Sequence, residues 1–79
     1  MNFDRRVHAT MQDGSVIVRY DRAGKWFQEW PAYAMIPRRR LSLEKAARLA
    51  LSPEAQSVYL DMPGGRMFDA TVRQLMKGE

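Results

Sequence analysis

The chain has 79 residues, of which 46% are hydrophobic and 28% charged, and its formal net charge is +4 at pH 7. This size predicts one small domain over residues 1–79, and the composition excludes both a disordered tail and a membrane span. The absence of cysteine and the single histidine exclude disulfides, zinc–thiolate sites, thiol nucleophiles and multi-histidine metal sites within one chain, so we expect no metal and no other cofactor.

The basic charge is concentrated in the first half of the chain. Residues 1–40 carry eight lysines and arginines against four acids, whereas residues 41–79 carry five of each. Ten of the thirteen cations are arginine, which pairs bidentately with carboxylate or phosphate and stacks on rings. A basic half of this kind indicates an anionic partner, either nucleic acid or an acidic protein surface.

The first predicted elements form a β-hairpin. Residues 6–12 alternate between apolar and polar side chains, as a half-buried strand does. Asp13-Gly14 follows, the dipeptide that is preferred in a two-residue type I′ turn. Such a turn pairs Met11 with Val16 and places the apolar side chains of both strands on one face of the sheet.

A third strand is predicted over residues 25–30, which are rich in aromatic side chains and are followed by a proline. The reversal at residues 21–24 leaves the register of this strand open. A loop of two or four residues places Phe27 on the apolar face of the second strand and leaves both tryptophans on the opposite face. A three-residue loop reverses this arrangement and buries Trp26 and Trp30.

A linker and a helix follow. Residues 31–40 are interpreted as an extended linker, because Pro37 prevents helix at the residue before it. Ser42 is a helix cap, and Glu44 lies in the first turn, where the helix dipole favours an acid. The spacing of the apolar side chains then predicts a helix over residues 43–51.

The last third of the chain contains one more strand and a segment with two interpretations. Val58, Leu60 and Met62 alternate with polar residues and predict a fourth strand over residues 57–62. Residues 66–77 fit a helix or a hairpin partner of that strand, and their apolar spacing favours the helix. The order β-β-β-α-β-α predicts an α+β fold: a small antiparallel sheet, made of a three-stranded meander plus a further strand, packed on one or two helices.

No group of residues indicates catalysis. His8 is the only imidazole, and each serine is explained by a turn or a cap, so no nucleophile–histidine–acid set is predicted. We expect His8 to be an exposed strand residue. So small a domain also leaves little room for a catalytic cleft. The sequence therefore predicts a protein that is not an enzyme.

The clearest functional signal is a cluster of basic and aromatic residues. It combines cations that attract phosphate or carboxylate with rings on which bases or arginines stack, and arginine and tryptophan are also frequent at protein–protein hot spots. The alternative is that the tryptophans belong to the core and the three consecutive arginines form a solvated linker. The predicted partner-binding residues are Arg19, Arg22, Lys25, Trp26, Trp30, Tyr33, Arg38, Arg39 and Arg40.

In layout the chain resembles two groups of small proteins from bacteria and their phages. A three-stranded meander over residues 7–30, a short helix, a strand and a last element are similar to the layout of phage-encoded anti-CRISPR proteins, which occupy a surface of a CRISPR–Cas complex. The segment LSLEKAARLAL followed by SVYLDM resembles a helix and strand of the immunity proteins of bacterial toxin systems. Neither resemblance transfers a functional residue to this chain.

The first resemblance, together with the basic cluster, implies a non-enzymatic inhibitor that binds a larger effector complex and blocks it sterically, as an anti-CRISPR protein. The alternatives are a small basic nucleic-acid-binding protein and a toxin-neutralising immunity protein. The expected partner is a protein; direct nucleic-acid binding is less favoured, and no membrane is involved. The first residues lack the apolar segment of a secretory signal, so we expect the cytoplasm of the bacterial host. The small core is marginal alone, so we expect a monomer or a homodimer.

Overall fold

The protein folds as a five-stranded antiparallel sheet with two helices packed on it, and the predicted α+β class is confirmed. The structure, a computed structural model, describes residues 5–20, 24–62 and 65–78. The strands lie in the order β4-β3-β2-β1-β5. The elements are β1 (Arg5–Met11), β2 (Val16–Tyr20), β3 (Lys25–Glu29), a 3₁₀ turn (Ala32–Ala34), β4 (Arg39–Leu41), α1 (Leu43–Leu51), β5 (Ala55–Val58) and α2 (Arg66–Lys77).

The sheet has one strand more than the sequence predicted. Residues 31–40, interpreted as a linker, contain the start of β4, which pairs with β3. A strand of three residues is too short to show a period of two, so alternation does not reveal it. The strand predicted over residues 57–62 lies earlier. The Ala55 N–H bonds to the Ser52 carbonyl at 3.1 Å, and this turn leads directly into the pairing of β5 with β1.

Both helices lie where the sequence predicted them. The Lys45 N–H donates to the Ser42 hydroxyl at 3.1 Å, so the expected cap begins α1. The segment with two interpretations is the helix α2. Its residues Phe68 and Val72 are four positions apart and both buried in the core, as the helical spacing requires.

The β1–β2 hairpin forms, but its predicted register is wrong. The Met11 N–H bonds to the Ser15 carbonyl at 2.8 Å, so the loop has three residues instead of two. Gly14 has a φ of 89° in this loop, a conformation that glycine adopts without steric cost. As a result Thr10, and not Met11, lies opposite Val16.

A β-bulge at His8 divides the apolar residues of β1 between the two faces of the sheet. Val7 pairs with Val18 on one face, and Ala9 pairs with Ile17 on the other. His8 itself is fully buried among aromatic rings of the core. The expectation of an exposed histidine is wrong, because the extra residue of the bulge re-aims this side chain toward the helices.

The loop between β2 and β3 has four residues, since Tyr20 pairs with Lys25. Residues 21–23 of this predicted reversal lie outside the described residues. Phe27 shares a face with Tyr20, as the sequence predicted for a four-residue loop, and Trp26 lies on the opposite face.

The two helices pack on the face of the sheet that carries Trp26, which we call the covered face. The opposite face, on which no helix of the described residues packs, is called the open face. The core lies between the covered face and the helices. Its buried residues are Ala9, Met11, Ile17, Trp26, Leu41, Ala46, Ala47, Ala50, Phe68 and Val72.

Candidate binding surface

Trp26 belongs to the core, and the structure removes it from the predicted binding surface. It is 4% exposed, and its ring stacks on that of Phe68 with the centroids 4.8 Å apart. The His8 ring lies 4.7 Å away. The sequence left the burial of Trp26 open, because the length of the β2–β3 loop decides only on which face of the sheet Trp26 lies. The packing of the helices on that face buries it.

Trp30 is half-buried and ties the end of β3 to the loop between β1 and β2. Its indole N–H donates to Oδ2 of Asp13 at 3.1 Å. The Asp13 carboxylate also accepts bonds from the Ser15 hydroxyl at 2.6 Å and from the Ser15 N–H at 2.9 Å. These hydrogen bonds, foremost the one from the hydroxyl, lower the pKa of Asp13 below its ordinary 3.8.

The largest exposed apolar side chains before β4 lie in residues 32–37, which we name the docking loop. Tyr33 is 86% exposed, Met35 is 89% exposed and Ile36 is 47% exposed. Met35 ends the 3₁₀ turn with φ 54° and ψ 32°, the left-handed conformation. That conformation costs a residue with a Cβ about 1 to 2 kcal/mol. The turn therefore holds an apolar side chain outward in a strained backbone.

The open face carries most of the cations that the described part of the sheet presents. The register places Lys25 opposite Tyr20 and Arg40 opposite Phe27. Arg5 lies opposite Tyr20 from the other neighbouring strand. The face therefore has an excess of positive charge. The charged residues that we assign to it are Arg5, Lys25, Glu29, Arg38 and Arg40.

Arg38 lies over two aromatic rings of the open face. Its guanidinium carbon is 4.4 Å from the centroid of the Phe27 ring and 5.5 Å from that of Tyr20. The two rings meet edge to face, with centroids 5.6 Å apart. A cation over a ring face is attracted by the ring quadrupole. The Arg38 side chain is nevertheless 56% exposed.

Glu29 is the centre of the polar contacts on this face. The Tyr20 hydroxyl donates to its Oε2, and the Arg5 Nε donates to its Oε1 at 2.9 Å. Arg38 Nη1 lies 3.9 Å from Oε2, and the Glu29 side chain is only 17% exposed. Burial, followed by the hydrogen bond to Glu29, raises the pKa of Tyr20 above its ordinary 10.0.

The remaining predicted cations are divided between the faces. Arg39 Nη2 donates at 2.7 Å to Gln28, which is buried on the covered face. Arg19 lies opposite Trp26, also on the covered face. Arg22 lies outside the described residues. The predicted residues that the structure brings together on the open face are Lys25, Arg38 and Arg40.

Sequence reasoning missed six residues of these surfaces. Tyr20 alternates with Val18, and Phe27 lies opposite Val18, a pattern that indicates a core face. No sequence feature shows that the helices pack on the other face. The apolar side chains of the docking loop lie between two prolines in a segment without periodicity, which was the one signal available for them. The missed residues are Arg5, Tyr20, Phe27, Glu29, Met35 and Ile36.

The described residues contain no group of three or more histidine, cysteine, aspartate or glutamate side chains that could hold a metal ion. Neither α1 nor α2 has the length and apolar character needed to cross a bilayer. A groove of about 470 Å³ lies between the C-terminal ends of the two helices. Its lining carries one charged side chain, Arg48.

No family model matches the chain, and neither a curated protein nor a solved structure matches it. The fold and the surface define a class in general terms: a small basic α+β protein with an exposed apolar loop beside a cationic sheet face. The docking loop and the open face are the two surfaces whose contacts bear on a more specific function.

Proposed function

We propose that this protein is a non-enzymatic inhibitor that binds a larger effector complex and blocks it sterically, as phage anti-CRISPR proteins do. The observation that supports this proposal most is the docking loop, which presents Tyr33, Met35 and Ile36 to solvent next to three consecutive arginines. A small domain that exposes such side chains together is typical of a protein-binding surface.

Contacts at both ends of the docking loop support its role as a preformed binding element. Before the loop, the Trp30 indole is bonded to Asp13. After the loop, Arg38 lies on the Phe27 ring. Because both ends are attached to the sheet, less conformational entropy is lost when the loop docks into a partner. The exposed apolar side chains then act as anchors for a pocket.

The adjacent arginines favour an acidic partner. Arg38 and Arg40 lie on the open face directly after the loop. Charge of one sign beside an apolar anchor steers the approach of a partner of opposite sign and disfavours partners of like sign. The proposed target is therefore a protein surface with an apolar pocket rimmed by carboxylates.

The proposal is tested by titrating this protein into purified CRISPR–Cas effector complexes of each type while they cleave a labelled target DNA. We expect cleavage by one of these complexes to stop near one molecule of inhibitor per effector. If none is inhibited even at large excess, the anti-CRISPR proposal is wrong.

Charge reversal then tests the surface. Replacing Arg38, Arg39 and Arg40 together by glutamate should weaken inhibition roughly tenfold or more, because repulsion replaces attraction at the edge of the interface. The matched control reverses three helix arginines, Arg48→Glu, Arg66→Glu and Arg73→Glu, and should leave inhibition unchanged. Circular dichroism verifies that each variant is folded. Equal effects of the two sets would exclude the loop region as the interface.

A further inference from the structure

We infer that the open face binds single-stranded nucleic acid, with a base stacked on Arg38 and phosphates held by Lys25 and Arg40. This inference goes beyond the proposed inhibition and does not depend on it. It concerns the open face, whereas the apolar anchors of the protein contact proposed above lie in the docking loop; Arg38 and Arg40 belong to both proposed contacts.

The contact between Arg38 and Phe27 supports this inference. The guanidinium carbon lies 4.4 Å from the centroid of the Phe27 ring, and the side chain remains 56% exposed, so part of the guanidinium is accessible to a base. Guanidinium planes and aromatic rings are the protein groups on which unstacked bases lie. The ring below and the Glu29 carboxylate beside it hold this plane in position before a base arrives.

The charge of the open face also favours nucleic acid. Among the described residues this face carries four cations and one acid, and the acid, Glu29, is only 17% exposed and accepts bonds from Tyr20 and Arg5. Lys25 lies opposite Tyr20 and Arg40 lies opposite Phe27, so both cations neighbour the rings that Arg38 covers.

The shape of the surface favours a single strand over a duplex or a second copy of the chain. The face of a five-stranded sheet is wider than the major groove, which admits a helix or a two-stranded ribbon, whereas unpaired bases can lie flat on such a face. A second copy that docked face to face would bring the four cations against the same four cations, and like charges in an interface are strongly unfavourable. A single-stranded polynucleotide supplies both the rings and the negative charge.

Fluorescence anisotropy with labelled oligonucleotides tests the inference. The probes are dT and rU strands of about twelve nucleotides, with a duplex of the same length for comparison. The two phosphate contacts of Lys25 and Arg40 predict a loss of affinity of about 7-fold between about 50 mM and 200 mM salt. We expect dT and rU to bind alike, because the stacking and phosphate contacts involve groups that both share, and the duplex to bind more weakly.

Two lysines provide a matched pair for the phosphate contacts. Lys25→Gln on the open face should reduce the salt dependence by the equivalent of one contact, a slope change of about 0.7. Lys45→Gln on α1 removes the same charge from the helix side and should leave the slope unchanged. Arg40→Gln should behave like Lys25→Gln. If all three variants have the same effect, binding is a property of net charge alone and the inference is wrong.

Arg38→Lys separates stacking from charge. Lysine keeps the positive charge but lacks the plane, so the salt slope should remain while affinity falls by about 5- to 100-fold, the range expected for losing one stacked base. Arg73→Lys on α2 is the control and should change neither quantity. Wild-type affinity in Arg38→Lys would overturn the stacking role.

Two results of the anisotropy experiment would overturn the inference as a whole: no change at low salt, or a duplex bound as tightly as the single strands. Light scattering would also overturn it if it showed a dimer that the open-face variants dissociate.

Discussion

The guanidinium carbon of Arg38 lies 4.4 Å from the centroid of the Phe27 ring, so a residue at the start of one edge of the sheet covers a ring on the neighbouring strand. Arg38 directly follows the docking loop and also belongs to the open face. Because Arg38 and Arg40 take part in both proposed contacts, the variants that distinguish the two contacts must lie elsewhere, in the docking loop itself or at Lys25.

Glycine and alanine at position 35 should separate strain from binding. Met35→Gly removes both the side chain and the left-handed strain, so stability should be unchanged or rise by up to about 1 kcal/mol, because the strain relieved exceeds the entropy cost of glycine slightly. Met35→Ala keeps the strain. Both variants should weaken inhibition of the effector alike, and Met67→Ala, at an exposed methionine of α2, should not. Thermal unfolding and the cleavage assay measure the two effects.

The two tryptophans should differ in their contribution to stability. Trp26→Ala should cost about 3 to 5 kcal/mol, because it removes a buried ring that packs against Phe68 and His8. That is a large part of the roughly 4 to 12 kcal/mol expected for a domain of this length. Trp30→Ala should cost about 1 to 2 kcal/mol, since it loses one hydrogen bond and partial burial. Urea unfolding compares them; equal costs would contradict the assignment of Trp26 alone to the core.

Asp13 should contribute to the loss of stability in acid. The lowered pKa means that the ionised carboxylate is favoured in the folded protein, so its stabilising contribution is complete above the ordinary pKa of 3.8 and is lost as the pH falls through the folded value. Asp13→Asn, which does not titrate, should therefore show a shallower fall of melting temperature with decreasing pH. If the melting temperature of Asp13→Asn fell with decreasing pH as steeply as that of the wild type, the Ser15 and Trp30 hydrogen bonds would not favour the ionised Asp13 carboxylate.

Two of the tyrosines, Tyr59 and Tyr20, should titrate in a defined order. Tyr20 should ionise above its ordinary pKa of 10.0, because burial and the hydrogen bond to Glu29 both favour its neutral form. The Ser57 hydroxyl donates to Tyr59 and lowers the pKa of that phenol, so Tyr59 should ionise before Tyr20. Stability supplied by neutral Tyr20 is complete below pH 10.0 and is lost as the pH rises toward the folded pKa.

Ultraviolet absorbance of tyrosinate follows this titration, and two variants identify the steps. Tyr20→Phe should remove the last step. Glu29→Gln should move that step toward lower pH without abolishing the shift, because burial, the larger cause, remains. A last step that is insensitive to both variants would contradict the contact between Tyr20 and Glu29.

Local signals in the sequence were sufficient for the two helices and the first three strands, but they missed β4 and placed β5 too late. The Ser42 cap and the helical spacing through Phe68 and Val72 depend on neighbours within a few residues, so α1 and α2 were predicted correctly. The choice of sheet face was not predictable in this way. It depends on the bulge at His8 and on where the helices dock, and these decide whether Phe27 faces the core or forms the base of a surface platform.

The two outermost strands of the sheet are also short: β4 has three residues and β5 has four. Each edge of the sheet therefore exposes few unpaired backbone groups, and the β4 edge carries Arg39 and Arg40. Short, charged edges resist the sideways addition of strands from other molecules, which is the first step toward fibres. The short, charged edge strands therefore oppose aggregation of a chain whose docking loop exposes apolar side chains.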